Sequence, residues 1–214
     1  MQKKLSDFPV GLGLTLTPAQ WQQLKAYADL IWQKKDQLNL TSVSDKNEIF
    51  TRHIADGFAV ACVWKRFFDG YENGTVADMG SGAGYIGITL AIMCPQVQVT
   101  LVESLQKRSL FLNWAILKLG LSNVVVKNMR LGQQSVGVFD LITERAMGPL
   151  EELLPLLVPC SKKGGVIAAY QSQAGQLEAS LQKTLSLQEE EPLAYQLPDE
   201  KKCRFITVLT HGYC

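Results

Sequence analysis

Val76-Ala-Asp78-Met-Gly80-Ser-Gly82-Ala-Gly84-Tyr85-Ile86-Gly87 is the stretch that decides the fold. A short apolar run ends at Met79, and glycines at 80, 82, 84 and 87 lead into the amphipathic segment that begins at Tyr85. The pattern reads as strand, turn, helix. Glycine suits such a turn because it accepts backbone angles that a Cβ forbids, and because a ligand can then lie against bare main chain at a helix N-terminus. A second apolar run, Val97 to Val102, ends in Glu103, where a carboxylate can accept both hydroxyls of a ribose.

Two nucleotide-like ligands compete for this loop. Gly82-x-Gly84-x-x-Gly87 matches the dinucleotide fingerprint literally. In dinucleotide proteins, however, the first glycine follows the strand at once, whereas here Asp78 closes the strand and Gly80-Ser81 precedes the pattern. An acid beside the loop suits a ligand with an ammonium group and a sulfonium better than one with a pyrophosphate. The reading is therefore an S-adenosylmethionine site, with Asp78, Gly80, Gly82, Gly84 and Glu103 around it.

Composition sets the outer bounds. A chain of 214 residues, 47% hydrophobic and 19% charged, can bury a full core. No run approaches the roughly 18 apolar residues of a membrane span, so a cytoplasmic protein without a membrane partner is expected. Cys62, Cys94, Cys160, Cys203 and Cys214 form no Cys-x-x-Cys pair, so idle thiols are expected in place of zinc ligands or disulfides, and no metal. The net charge of +1 does not advertise nucleic acid, which would have to be met by local patches.

Around the glycine loop, the chain divides into a helical extension, residues 1–70, and an α/β domain, residues 71–214. Thr17-Pro18-Ala19-Gln20 is a capping box with proline at the first helical position, and predicts a helix to about Asp36 with Trp21, Leu24, Ala28 and Ile31 inward. A second helix is predicted from Asp45, capped by Glu48, to Phe67. Strands at 75–79, 97–103, 123–128, 138–143 and 165–170 alternate with helices at 84–94, 105–120, 149–158 and 174–186; a strand pair at 191–197 and 203–210 follows. Such alternation makes a doubly wound, mostly parallel α/β sheet, with a terminal hairpin supplying an antiparallel strand.

Five segments in order, Asn39-Leu-Thr-Ser42, Arg52-His53-Ile54-x-Asp56, the Asp78 to Gly87 loop, Glu103-Ser-x-x-Lys107-Arg108-x-x-Phe111-Leu112, and Arg145-Ala146, resemble the bacterial ribosomal RNA small-subunit methyltransferase G family, also called glucose-inhibited division protein B. The resemblance covers about residues 20 to 172. It implies the class I S-adenosylmethionine-dependent methyltransferase fold, a monomer, and methyl transfer to N7 of a guanine in 16S ribosomal RNA of the small ribosomal subunit. It further implies a cofactor pocket built from Gly80, Tyr85, Glu103, Leu131, Gly132 and Arg145, with Arg145 also the residue at the reacting centre. The alternative is a protein that binds S-adenosylmethionine or ribosomal RNA without catalysis.

Guanine N7 carries a lone pair and no proton, so the transfer needs alignment and no general base. Arg145, after an apolar strand, is expected to hold the cofactor carboxylate, guanine O6 or a phosphate, and to contribute little to stability. His53 is expected to pair with Asp56 or Arg52 as scaffold. The chain departs from the family at Ile86 (proline in relatives), Gly57 and Glu144 (serine), Gly132 (glutamate) and Gln171-Ser172 (lysine-glycine). Glu144 and Gln171 are expected to reduce the positive character of an RNA-facing rim.

Overall fold

The computed structural model describes residues 8, 9, 11–173, 176–198 and 200–212. Helix α1 (Pro18–Leu38) starts as the sequence predicts. The Thr17 hydroxyl accepts the Gln20 N–H and the Gln20 side chain accepts the Thr17 N–H. The same Gln20 amide donates to the carbonyls of Ile92 and Met93, 3.0 Å away in each case, so one side chain serves the start of one helix and the end of another.

The second predicted helix is three pieces. A short turn, α2 (Lys46–Glu48), runs into a π-helical segment (Ile49–Ile54) and then α3 (Ala55–Phe68). Asp45 caps through Asn47, while the Glu48 carboxylate bonds Arg52, so the expected capping box does not close. Ile49, Thr51 and Ile54 are all buried on this widened turn.

Eight strands follow: β1 (Thr75–Met79), β2 (Gln98–Glu103), β3 (Val124–Asn128), β4 (Phe139–Arg145), β5 (Ser161–Gln171), β6 (Leu187–Glu189), β7 (Leu193–Gln196) and β8 (Cys203–His211). Helices α4 (Tyr85–Met93), α5 (Gln106–Leu119), α6 (Leu150–Leu157) and α7 (Ala179–Leu185) connect them. The sheet order is β3-β2-β1-β4-β5-β8-β6, with β7 also on β8. Strands β1 to β5 are parallel, and β8 runs antiparallel to β5, β6 and β7.

Some elements differ from expectation, β4 among them, which runs on through Arg145. Strand β5 begins four residues early, at Ser161, because its register against β4 jumps from Phe139–Ser161 to Leu141–Val166 and the intervening residues bulge outward. The short β6 was not anticipated. The predicted helix at 174–186 begins on residues outside the described ones, residues 176–178 are not helical, and α7 starts only at Ala179.

The chain order turns back between β1 and β4, and loops at the carboxyl ends of these strands enclose a crevice where such sheets take ligands. One face of the sheet packs on α3, α4 and α5, with α1 laid over α4 and α5, and the other face packs on α6 and α7. Tyr27, Phe58, Ile88, Leu101 and Leu141 lie in one continuous apolar cluster that joins the extension to the sheet.

Asp56 of α3 crosses that join as a charge, with its side chain 0% exposed. It receives Arg145 from β4 (2.6 Å), Arg204 from β8 (2.9 Å) and the Tyr195 hydroxyl from β7 (2.7 Å). The Tyr170 hydroxyl of β5 donates to its backbone carbonyl at 2.6 Å. Asp56→Ala strips a buried carboxylate from two guanidiniums and should lower the unfolding free energy by about 3 to 5 kcal/mol, measured by urea denaturation.

Candidate active site

The loop after β1 folds through three left-handed glycines, Gly80 (φ 64°), Gly82 (φ 60°) and Gly84 (φ 87°). At Gly84 a Cβ would stand 2.8 Å from Ile88 and Leu112, so packing as well as backbone angle excludes a side chain. At Gly82 a Cβ would meet nothing closer than 3.9 Å, which leaves open space above bare main chain. Ser81 ties the loop down: its N–H donates to Val102 and its hydroxyl to the Asp78 carbonyl. Tyr27, fully buried on α1, donates its hydroxyl to Ala83 at 2.7 Å. The sequence reading missed Tyr27; its place three residues after Leu24 on the apolar face of α1 was the available signal.

Glu103 closes the other side of the loop. Its two oxygens accept the N–H groups of Gly82 (2.9 Å) and Leu105 (2.7 Å), which fixes the carboxylate and leaves each oxygen a further lone pair. Asp78 is buried beneath the loop, bonded by the Gly87 N–H and the Thr143 hydroxyl, both at 3.1 Å. Burial pushes its pKa up to about 6, against the pull of those hydrogen bonds. A Cβ at Gly87 would strike Leu101 and touch Asp78, so that glycine serves the close packing of α4 on the sheet. Between the end of α1 and the start of α5, a cavity of about 300 Å³ lined by Asn39, Leu105, Lys107 and Arg108 opens next to the Glu103 turn.

Tyr85, the first residue of α4, is 4% exposed, and its hydroxyl reaches the Leu40 carbonyl at 3.4 Å. His53 stacks on its ring, with centroids 4.2 Å apart, and the Arg145 guanidinium lies 5.2 Å from the same ring. The expected pairing of His53 with Asp56 or Arg52 is not what the structure shows, because its Nε2 meets the Thr41 hydroxyl at 2.9 Å. Burial, then the charges of Arg145, Arg52 and Arg204, hold the His53 pKa down to about 3, so the ring is neutral.

The expectation that Arg145 contributes little to stability is corrected too: its Nη1 is bound to the buried Asp56, and its side chain is only 24% exposed. Ion pairs continue outward from there, Asp56 to Arg204, Arg204 to Glu200, Glu200 to Arg52 and Arg52 to Glu48. No local pattern marks Arg204, which lies 148 residues from Asp56.

A family model described as rRNA small subunit methyltransferase G matches residues 20–207. The chain belongs to that family. The ribosomal RNA small subunit methyltransferase G of Limosilactobacillus reuteri (strain DSM 20016) is 34% identical over 204 residues, covering 87% of this chain and 82% of its own. That of Staphylococcus aureus (strain bovine RF122 / ET3-1) is 34% identical over 195 residues, covering 87% and 80%. Among solved structures, the magnesium protoporphyrin IX methyltransferase of Synechocystis PCC 6803 with bound SAM superposes with a TM-score of 0.64 at 13% identity. The match covers 87% of this chain and 97% of that one, and shows a shared class I methyltransferase fold.

The positions expected from the resemblance to depart from the family's pattern fall in different surroundings. Gly57 lies where a Cβ would stand 2.5 Å from Thr89, so α3 and α4 approach closely there. Ile86 is buried in the core. Gly132 adopts φ 87° in an exposed turn after β3, beside the half-buried Leu131. Gln171 is half-buried and ends β5 opposite Phe205 of β8. Glu144 overturns the expectation of an RNA-facing rim residue: it is 1% exposed, inside the carboxyl end of β4.

With Arg145 tied to Asp56, Arg145→Ala should lower the unfolding free energy by roughly 1.5 to 3 kcal/mol, the range for a hydrogen bond to a charged group, as read by chemical denaturation. The half-kilocalorie change of an ordinary surface site is the result that would contradict this role.

Proposed function

We propose that this protein transfers the methyl group of S-adenosylmethionine to N7 of a guanine in 16S ribosomal RNA of the small ribosomal subunit, acting in the cytoplasm as a monomer. Membership of the methyltransferase G family supports the ribosomal RNA substrate and the reaction class. The observation that carries the cofactor is the pairing of bare main chain at Gly82 with the fixed, buried carboxylate of Glu103. The residues present fit the cofactor: Gly82 has open space above it, and Glu103 keeps acceptor capacity after binding two backbone N–H groups.

In this reading Glu103 accepts the ribose hydroxyls, Leu131 and Gly132 flank the adenine, and Gly80, Gly84 and Tyr85 shape the floor. Asp78 acts from below through the Gly87 N–H. When bound, the cofactor supplies an electrophilic methyl on a sulfonium. The protein then has to hold N7 in line with that methyl, and orientation of this kind is worth up to about 7 to 11 kcal/mol. Arg145 is suited to positioning because Asp56 and the Tyr85 ring fix its guanidinium while its remaining donors are free for a phosphate, guanine O6 or the cofactor carboxylate. No general base is required, in keeping with a neutral His53 already engaged by Thr41.

Incubation with methyl-labelled cofactor and unmethylated small subunits should place label on one guanine as 7-methylguanine, mapped by mass spectrometry. Cofactor binding without transfer would favour the binding-only alternative.

The site itself is tested by Glu103→Gln, which keeps the shape of the side chain and removes its charge. It should weaken cofactor binding by roughly 1.5 to 3 kcal/mol, about 10- to 150-fold in Kd, by calorimetric titration. Unchanged affinity would remove Glu103 from the site.

A further inference from the structure

Glu144 is a buried carboxyl that the protein leaves unsatisfied. It is 1% exposed, and its Oε2 has no hydrogen-bond partner among the described residues. Its neighbours in the sheet cannot supply one, because in register it lies between Met79 of β1 and Ala169 of β5, both apolar and buried. The helix packed on that face, α6, offers Leu150, Leu153 and Leu154. The adjacent Arg145 is committed to Asp56, among the helices of the extension. Such a group costs free energy in the empty protein and is retained where a ligand completes it.

Its position says which ligand group that is. Glu144 stands opposite Met79, the residue before Gly80, and the Met147 N–H approaches its carboxyl while the Met147 side chain lies against Gly80. The carboxyl therefore borders the crevice floor at the glycine loop. Glu103 ends β2 and Glu144 is the last residue but one of β4, with β1 between them, a separation of two strand spacings or about 10 Å. A ligand whose ribose sits at Glu103 and whose chain crosses the glycine loop brings its amino-acid end to Glu144.

We infer that Glu144 is the counter-ion of the cofactor's ammonium group and gives up a proton when the cofactor binds. The inference rests on the S-adenosylmethionine reading above. In the free protein the carboxyl holds its proton into the neutral range, because burial, and then the nearby Asp78, push its pKa up to about 7 while the Met147 N–H opposes them. Arrival of an ammonium favours the carboxylate, so the O–H bond of Glu144 breaks, the proton leaves to solvent, and the electron pair stays on the oxygen to meet the cation. Asp78 is the nearby acid that acts on Glu144 through space, from the other face of the sheet beside Thr143, and it titrates lower, at about 6.

Calorimetric titration tests this with S-adenosylmethionine at pH 6.0 and 7.0, each in two buffers of different ionisation enthalpy. The range stays below the roughly 7.7 to 8.0 at which an α-amino group itself titrates. About one proton should be released per ligand at pH 6, and Kd should tighten about fivefold from pH 6 to 7. S-adenosylhomocysteine, which keeps the ammonium and lacks the sulfonium, should release the same proton. 5′-Methylthioadenosine, which has neither, should release none.

In Glu144→Gln and Glu144→Ser, each checked for folding by thermal unfolding, most of the release and of the pH dependence should vanish, leaving only what Asp78 contributes. Wild-type binding without proton release overturns the inference and leaves the cofactor reading intact, as does full release in the folded variants. Release with S-adenosylmethionine but not with S-adenosylhomocysteine overturns the assignment to the ammonium. Failure of the wild-type protein to bind S-adenosylmethionine at all overturns both.

Discussion

A carboxylate with no access to water needs compensation from within the protein, and Asp56 obtains it from three strands at once. Arg145, Arg204 and Tyr195 converge on its two oxygens, so the helical extension is held to the sheet by a polar anchor as well as by apolar contact. Apolar contact alone would tolerate sliding, because dispersion has little directional preference. Hydrogen bonds from guanidinium and phenol do not, and they set α3 at one rotation and one height against the ends of β4, β5 and β8. The mouth of the crevice takes its shape from that setting.

From the same extension, tyrosine and histidine reach the glycine loop. Tyr27 bonds the Ala83 carbonyl, and His53, held by Thr41, lies flat on Tyr85. A loop rich in glycine loses more conformational entropy on ordering than other sequences do, so it needs neighbours to define it. Here they come from α1 and the π-helical turn. Extension and sheet thus form one binding unit in which the sheet supplies the loop and the extension holds it still.

What the sequence disclosed and what it hid differ by range. The strand–glycine–helix unit, the acid at the end of β2 and the capping box of α1 are written in residues a few positions apart, and all three stand where local rules place them. Asp56 meets Arg145 and Arg204 across separations of 89 and 148 residues, and no periodicity announces such a meeting. Arg145 was therefore expected to add little to stability. Glu144 was misplaced for a related reason: an acid after an apolar strand normally marks the exit to solvent, yet here the strand extends through Arg145 before it emerges. The π-helical segment escaped because its widened turn imitates an ordinary helix within the error of a 3.6 period.

The line of ion pairs from Arg145 through Asp56, Arg204, Glu200 and Arg52 to Glu48 passes from a fully buried member to members nearly half exposed. Dissolved salt does not weaken such a line evenly. Counter-ions reach Arg52 and Glu48 freely and are kept away from Asp56, so rising ionic strength loosens the outer links and spares the inner one. The Arg145–Asp56 pair thereby persists in media where the rim has lost its order, and the potential outside the protein varies with the electrolyte while the geometry inside does not.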